Sequence, residues 1–304
     1  MRISSIIRGI FTISVLSAAL LSLHSCQKHE DEAGISAVPV KFETAITRAA
    51  ELTTETINSF RVSAFLDDED STPFMNETEV SRTSGIWAYG PVKYWPVQGK
   101  VNFFAYASST GEKLKNFIFE KTEGGKFQAR FEYRLPSPDE SGQRDAESQP
   151  DLVFAQQAGL TEADGKVKFN FSHALTAIQF KVGKVPANTT LERIDFVNVH
   201  GQGTCVVTGG SDNKLTFDWS PDESNHRIYS QKFPSLHLSE ETVVSTKSEA
   251  TTFMMIPQTF DEHARIRFVF KIDGEEYIKD VLKLKDIHSS WEPGEIHTYT
   301  ITLN

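Results

Sequence analysis

The sequence predicts an all-β protein. Across its 304 residues, no long stretch repeats apolar residues with the 3.6-residue period of a helix. Apolar residues instead alternate with polar ones, or form short blocks rich in Val, Ile, Phe, Tyr and Thr, which Gly, Pro, Asp and Asn separate. Many short strands at this spacing are typical of β-sandwiches and β-barrels. The 22 phenylalanines suit the inward-facing positions of such sheets.

The N-terminus has the pattern of a secretory signal peptide. Arg2 and Arg8 precede the uncharged apolar stretch 10–23, which is too short for a comfortable membrane span. It ends in Leu-His-Ser-Cys, a lipobox-like sequence with a small residue directly before Cys26. We therefore predict a lipoprotein signal peptide over residues 1–25, lipidation of Cys26 with diacylglycerol and palmitate, and anchoring in the outer membrane.

The second cysteine lies alone. Cys205 is in the apolar, strand-like stretch 204–208, so no internal disulfide is expected. A free cysteine in a strand is usually a small buried hydrophobic residue. The core of this exported chain must therefore stabilise it without cross-links, and its length suits two domains of ordinary size.

The strand candidates recur along the whole chain. In order they are 57–65, 85–94, 101–107, 126–133, 152–155, 167–171, 177–182, 193–199, 204–208, 251–256, 265–272 and 297–303. The polar, proline-punctuated stretch 136–150 is predicted to be a surface loop. The glycine-bounded stretch 159–165 is predicted to be a domain junction, with one domain over residues 49–162 and another over 163–304.

The sequence carries no signature of catalysis, metal binding or a cofactor. The nine histidines are scattered, without HExxH or a pair at metal-ligand spacing. His173, among apolar residues, is predicted to be a hydrogen-bonded core residue. The net charge of −10 argues against nucleic acid as a partner. The aromatic residues at 87–89 and 94–96 suit the inner face of a sandwich when buried, or stacking on sugars when exposed.

A series of short motifs runs through most of the chain in a defined order. They are Thr-Arg-Ala at 47–49, YWP at 94–96, VNFFAYA at 101–107, DLVFA at 151–155, VKFNFSHAL at 167–175, MIPQ at 255–258 and WEPG at 291–294, with Tyr299 near the end. In this order and spacing the chain resembles the fimbrillin family, the type V pilins of Bacteroidales.

The resemblance implies a fold and a life cycle. It implies two tandem transthyretin-like β-sandwich domains in a protein exported as a lipoprotein. It also implies that an arginine-specific surface protease cuts after Arg48 and makes Ala49 the new N-terminus, removing residues 26–48 with their first strand. Subunits of a homo- or hetero-polymer would then join by strand exchange in a surface fimbrium that adheres to a host or bacterial ligand.

Two segments fit this scheme by their own patterns. Residues 38–42 alternate apolar and polar, and Pro39 restricts them to the edge of a sheet. At the other end, Tyr299, Ile301 and Leu303 alternate, so one face of a donated strand could fill successive pockets. The alternative for this last strand is that it completes its own sandwich.

Two alternatives stay open at the level of function. The chain could be a stalk, tip or accessory subunit, since little sequence follows the last strand candidate. It could also be a surface glycan-binding lipoprotein with tandem β-sandwich domains. Processing at Arg48 distinguishes these classes, because a binding lipoprotein would keep its tether.

Overall fold

The computed structural model describes residues 35–46, 52–67, 72–122, 127–136, 149–210, 212–224, 226–240, 242, 244 and 253–303. These residues are almost entirely β-structure, which confirms the predicted all-β class. The described helical segments are a single 3-10 turn, Glu162–Asp164, and one short helix, α1 (Leu284–Ile287). No helix among the described residues is both long enough and apolar enough to cross a membrane.

The strands, in chain order, are β1 (Ile35–Pro39), β2 (Phe42–Ile46), β3 (Ser59–Leu66), β4 (Met75–Thr83), β5 (Ile86–Ala88), β6 (Tyr94–Pro96), β7 (Val101–Ser108), β8 (Lys115–Lys121), β9 (Phe127–Arg134), β10 (Leu152–Leu160), β11 (Val167–His173), β12 (Thr176–Val182), β13 (Thr189–His200), β14 (Gln202–Gly209), β15 (Leu215–Pro221), β16 (His226–His237), β17 (Phe253–Met255), β18 (Gln258–Thr259), β19 (Arg265–Ile272), β20 (Glu275–Lys283), β21 (Ser290–Trp291) and β22 (Ile296–Ile301).

These strands form several sheets. A seven-stranded sheet has the order β2-β11-β10-β7-β3-β4-β5, and two four-stranded sheets have the orders β15-β14-β9-β8 and β16-β13-β19-β20. A three-stranded sheet has the order β17-β12-β22, and β1-β6 and β18-β21 are two-stranded ribbons. Most neighbouring strands are antiparallel, whereas β2 is parallel to β11 and β22 is parallel to β12.

Strands β7 and β10 are buried on both faces because they lie between two hydrophobic cores. In β7, Phe103 faces the first core, with β2, β3 and β11, while Phe104 faces the second. In β10, Val153 faces the first core and Phe154 faces the second. Successive side chains of a strand point to opposite faces, so a doubly buried strand reads as an almost continuous apolar run. The motifs VNFFAYA and DLVFA are such runs.

Aromatic contacts join the seven-stranded sheet to the sheet β15-β14-β9-β8. The Phe154 ring lies 5.1 Å from that of Phe131 and 5.8 Å from that of Phe217, and the Phe104 ring lies 4.8 Å from that of Phe119. These centroid distances are those of attractive aromatic pairs. Strands from both halves of the chain contribute to this interface, because β14 pairs with β9.

The remaining two sheets pack on each other around Phe180 of β12. Its ring lies 5.5 Å from that of Phe268 and 5.7 Å from that of Phe253, both edge-to-face. Cys205 is fully buried in the same core, which confirms that it packs as a small hydrophobic residue. Burial raises the pKa of its thiol, and the nearby Asp218 carboxylate adds to the shift.

One of the sequence-based expectations, a single strand over residues 85–94, changes in detail. The predicted strand 85–94 is two short strands, β5 and β6, because Pro91 between them has no N–H for a ladder. The stretch 159–165 connects β10 to β11, which pair in one sheet through Val153 and His173. The division into domains 49–162 and 163–304 stays a prediction.

We predict that the interface around Phe154 contributes strongly to stability. Phe154→Ala should lower the free energy of unfolding by about 3–5 kcal/mol, because it leaves a cavity between two sheets. Phe117→Ala, the same change at a half-buried position of β8, should cost about 1 kcal/mol. Chemical denaturation measures both values, and equal losses would contradict the packing described.

Candidate functional site at the N-terminal edge strands

The structure describes some of the predicted site residues. Cys26, Arg48 and Ala49 lie outside the described residues. The strands directly before Arg48, β1 and β2, are described, as are Tyr299, Ile301 and Leu303 near the C-terminus. The site is therefore built from the strands on either side of the predicted cleavage point and from β22.

Both strands before Arg48 lie at edges. β2 is the outer strand of the seven-stranded sheet, and β1 pairs with the short strand β6. Val40 lies between them: its N–H donates to the Lys93 carbonyl at 2.9 Å, and its carbonyl accepts from the Tyr89 hydroxyl at 3.0 Å. Val40 and Phe42 are buried and Lys41 between them is exposed, so residues 40–42 alternate as predicted, whereas Val38 is 40% exposed and departs from the pattern.

The Phe42 side chain occupies an aromatic pocket. Its ring centroid lies 5.4 Å from that of Tyr89 and 5.8 Å from those of Phe60 and Phe169, the latter pair being stacked. Phe103 forms the floor at 6.2 Å. Because the pocket walls come from β3, β7, β11 and the segment before β6, loss of β2 would leave an apolar groove lined by the rest of the fold.

Most of the aromatic residues near this groove are buried. Trp95 is fully buried against Phe103, and its indole N–H has no hydrogen-bond acceptor among the described residues. Trp87 is half-buried under the Arg82 guanidinium, which lies 5.3 Å from its ring. Tyr94 alone of these three is largely exposed, at 43%. The arrangement favours the inner-face interpretation over an exposed sugar-stacking platform.

The chain is anchored on both sides of residues 47–51. Before them, the Ile46 N–H donates to Thr54 Oγ1 at 2.9 Å. After them, the N–H of the buried Leu52 donates to Asp151 Oδ2 at 3.0 Å. The other carboxylate oxygen, Asp151 Oδ1, lies 3.0 Å from His173 Nδ1. Asp151 and His173 are both buried, which confirms the prediction of a hydrogen-bonded core histidine.

The Asp151 contacts could not be predicted from sequence. Leu52 and Asp151 are 99 residues apart, and no local pattern indicates that they meet. The available signal was an aspartate directly before a buried apolar run, together with a histidine at the end of another such run. A buried carboxylate needs hydrogen-bond partners, and a histidine is a suitable one.

The C-terminal strand β22 lies in its own sheet in this structure. It pairs in parallel with β12, with Tyr299 opposite Phe180 and Ile301 opposite Val182. Tyr299, Ile301 and Leu303 are all buried. The Trp291 indole donates to the Tyr299 hydroxyl at 3.0 Å, and burial raises the pKa of that hydroxyl. Donation of this strand to another subunit stays a prediction.

β2 and β22 are paired in the same way. Each is an edge strand that pairs in parallel with one strand. β22 buries Tyr299 and Ile301 in alternation, whereas in β2 Phe42 is buried and Ile46 is partly buried. Their partners β11 and β12 follow one another directly in the chain. A strand with the pattern of β22 therefore matches the place of β2 in direction and periodicity.

The described residues contain no group of three or more His, Cys, Asp or Glu side chains arranged to hold a metal ion. The geometry of the site is that of strand pairing and apolar burial.

Comparisons with known proteins agree with this geometry. The family model described as fimbrillin-like matches residues 47–304, beginning directly after β2. None of the curated proteins compared matches the chain.

Two solved structures have a similar fold. A candidate cell adhesion protein from Bacteroides uniformis ATCC 8492 is 16% identical with a TM-score of 0.52, over 88% of this chain and 94% of that one. A candidate cell adhesion protein from Bacteroides ovatus ATCC 8483 is 16% identical with a TM-score of 0.50, over 87% of this chain and 91% of that one. At this identity the likeness shows a shared fold. With its match to the family model over residues 47–304, the chain belongs to the fimbrillin-like family.

Proposed function

We propose that this chain is a structural subunit of a cell-surface fimbrium and not an enzyme. It is exported as a lipoprotein through Cys26, held in the outer membrane, and cleaved after Arg48 by an arginine-specific surface protease. It then joins other fimbrial subunits by strand exchange, as a stalk, tip or accessory subunit that supports adhesion. Membership of the fimbrillin-like family supports the fimbrial role and the cell-surface location.

The observation that carries the proposal is the position of β1 and β2. Both are edge strands and both precede Arg48 in the chain; Phe42 of β2, and Val40 between the two strands, are buried in the first core. Cleavage after Arg48 cuts the only covalent link between these strands and the folded body, so they can leave without any other strand being moved.

Removal of these strands leaves an empty apolar groove beside a strand with unpaired backbone groups. Burial of Val40 and Phe42 contributes about 1.5–3 kcal/mol each, which is lost when the groove is empty. The backbone groups of β11 that pair with β2 also lose their partners. An open sheet edge next to apolar pockets is a template for strand addition. A strand from a neighbouring subunit would therefore restore both the apolar burial and the backbone hydrogen bonds.

β22 is the candidate donor on pattern and direction. Its donation requires Tyr299, Ile301 and Leu303 to leave their own sheet, where they are buried. Donation is therefore favourable in free energy only when the groove of the next subunit buries the same side chains. Because that groove is aromatic where Phe42 sits, it suits Tyr299.

The start of the mature chain has contacts that do not depend on the departing strands, beside the hydrogen bond from the Ile46 N–H to Thr54 Oγ1. The Asp151 carboxylate binds the Leu52 N–H and contacts His173, and neither group belongs to β1 or β2. Cleavage after Arg48 would therefore leave residues 52–57 in place, and only the groove of β1 and β2 would open.

The first test follows the N-terminus. Mass spectrometry of surface fractions should find mature wild-type chains that begin at Ala49. Arg48→Ala and Arg48→Lys should retain an acylated Cys26, because an arginine-specific protease rejects both residues. Arg134→Ala, at an exposed position of β9, is the matched control and should mature normally. Surface-located wild-type chains that still begin at Cys26 would contradict the proposal.

The second test addresses the anchor. Asp151→Ala should lower the free energy of unfolding by about 1–3 kcal/mol, because the buried Leu52 N–H loses its acceptor and His173 Nδ1 loses its contact with the carboxylate. Asp218→Ala, an exposed carboxylate in β15, should change it by less than about 0.5 kcal/mol. Denaturant midpoints measure both changes, and similar values for the two variants would show that the Asp151 contacts do not stabilise the fold.

The third test uses the groove itself. A synthetic peptide of residues 38–46, added to cleaved subunits, should occupy the groove and shorten the polymers seen by electron microscopy. The same peptide carrying Phe42→Lys should have no effect, because a lysine cannot fill the aromatic pocket. Inhibition by a peptide of residues 296–303 would identify β22 as the donor. If neither the 38–46 peptide nor its variant changes polymer length, strand exchange at this groove is wrong.

A further inference from the structure

The outer edge of β20 is exposed along its first half. β20 is the last strand of the sheet β16-β13-β19-β20, and no strand among the described residues pairs with its free side. Residues 275–279 are all exposed, including Tyr277 at 44% and Ile278 at 63%. An exposed edge strand with apolar side chains is a template for pairing with another strand.

The turn before β20 determines which backbone groups face outward. Asp273 and Gly274 join β19 to β20, and both have positive φ, 50° and 88°. This is the two-residue turn of a type I′ hairpin, in which the flanking residues, Ile272 and Glu275, form a hydrogen-bonded pair. Such pairs alternate along an antiparallel ladder. The N–H and C=O groups of residues 275, 277 and 279 therefore point to β19, and those of 276 and 278 point to the free edge.

We propose that this edge pairs antiparallel with β20 of a second copy of the chain, about a two-fold axis that passes between the two Tyr277 residues. A two-fold axis perpendicular to a continuous sheet keeps each side chain on its own face. In this register Glu276 and Ile278 exchange backbone hydrogen bonds across the interface. Each Glu275 then lies opposite Lys279 of the other copy, on the same face as Tyr277.

The charges distinguish this register from those shifted along the strand. Opposite charges directly across a ladder stabilise it, and like charges destabilise it. With the axis at Tyr277, two Glu275–Lys279 pairs form. With the axis at Ile278, Lys279 no longer lies opposite Glu275 of the other copy. With the axis at Lys279, the two Lys279 side chains lie opposite each other. The ladder with β19 also becomes irregular beyond Asp280, which limits regular pairing to the hairpin end of the strand.

The environment of Tyr277 agrees with the same axis. Its ring stacks on Phe270, a buried residue of β19, with centroids 6.0 Å apart and planes 14° apart. The pairing would continue this row as Phe270, Tyr277, Tyr277 and Phe270 across an eight-stranded sheet. It would cover the side of Tyr277 that is exposed in the single chain. The surface lies in a different sheet from the β2 groove, so this pairing does not depend on cleavage after Arg48.

Cysteine cross-linking in the full chain tests the pairing. Opposite residues of a pair without backbone hydrogen bonds have Cα atoms about 4.5 Å apart, within the range for a disulfide. Tyr277→Cys, oxidised in cell envelopes, should give a covalent dimer on non-reducing gels. Ile118→Cys, with a similarly exposed side chain on the edge strand β8, is the matched control and should give no more dimer than the wild-type chain.

Charge exchange and a second cross-link then test the register. In the Tyr277→Cys background, Glu275→Lys should lower the dimer yield about tenfold, because two attractive pairs become repulsive, and adding Lys279→Glu should restore it. Chains carrying Glu275→Cys should cross-link with co-expressed chains carrying Lys279→Cys, a pair that does not require replacement of Tyr277. Absence of dimer in both cross-links, equal dimer from Ile118→Cys, or failure of the double charge exchange to restore the yield would overturn the proposal.

Discussion

Burial of β7 and β10 on both faces is the constraint on which the rest of the structure depends. These two strands contribute side chains to both hydrophobic cores and lie side by side inside the seven-stranded sheet. β11 pairs on the outer side of β10, and β2 on the outer side of β11. The position of β2 as an edge strand is a consequence of that order. A strand placed there can be replaced without disturbing the doubly buried pair.

The surfaces that we propose to be functional lie at the edges of the sheets. A closed barrel would have no edges, whereas these open sheets end in strands whose backbone groups face outward. At the end occupied by β2, the edge is combined with an aromatic pocket, so a bound strand gains both hydrogen bonds and apolar burial. At β20 the edge carries a self-complementary charge pattern and one exposed tyrosine. On these differences we propose a removable strand for the first edge and a second copy of the chain for the other.

The sequence predicted the buried strands well and the outer strands poorly. β7, β19 and β22 were found because their buried side chains give an apolar run or a clear alternation. β4, β8 and β20 were missed because they lie towards or at sheet edges, where many side chains are exposed and polar residues dilute the pattern. The parallel pairing of β2 with β11 joins segments more than 120 residues apart, and the contact between Leu52 and Asp151 is similarly remote. Local periodicity carries no information on such pairs.

The central claim is that β1 and β2 fill a groove that a neighbouring subunit fills after cleavage. Hydrogen exchange of the β11 amides tests it most directly, since these amides include the groups that pair with β2. In subunits cleaved after Arg48 and kept monomeric, exchange of these amides should become faster than in the precursor, while the amides of β19, in the middle of another sheet, should be unchanged. In assembled fimbriae the β11 amides should again be protected. Protection that is unaffected by cleavage, or that does not return on assembly, would contradict the account.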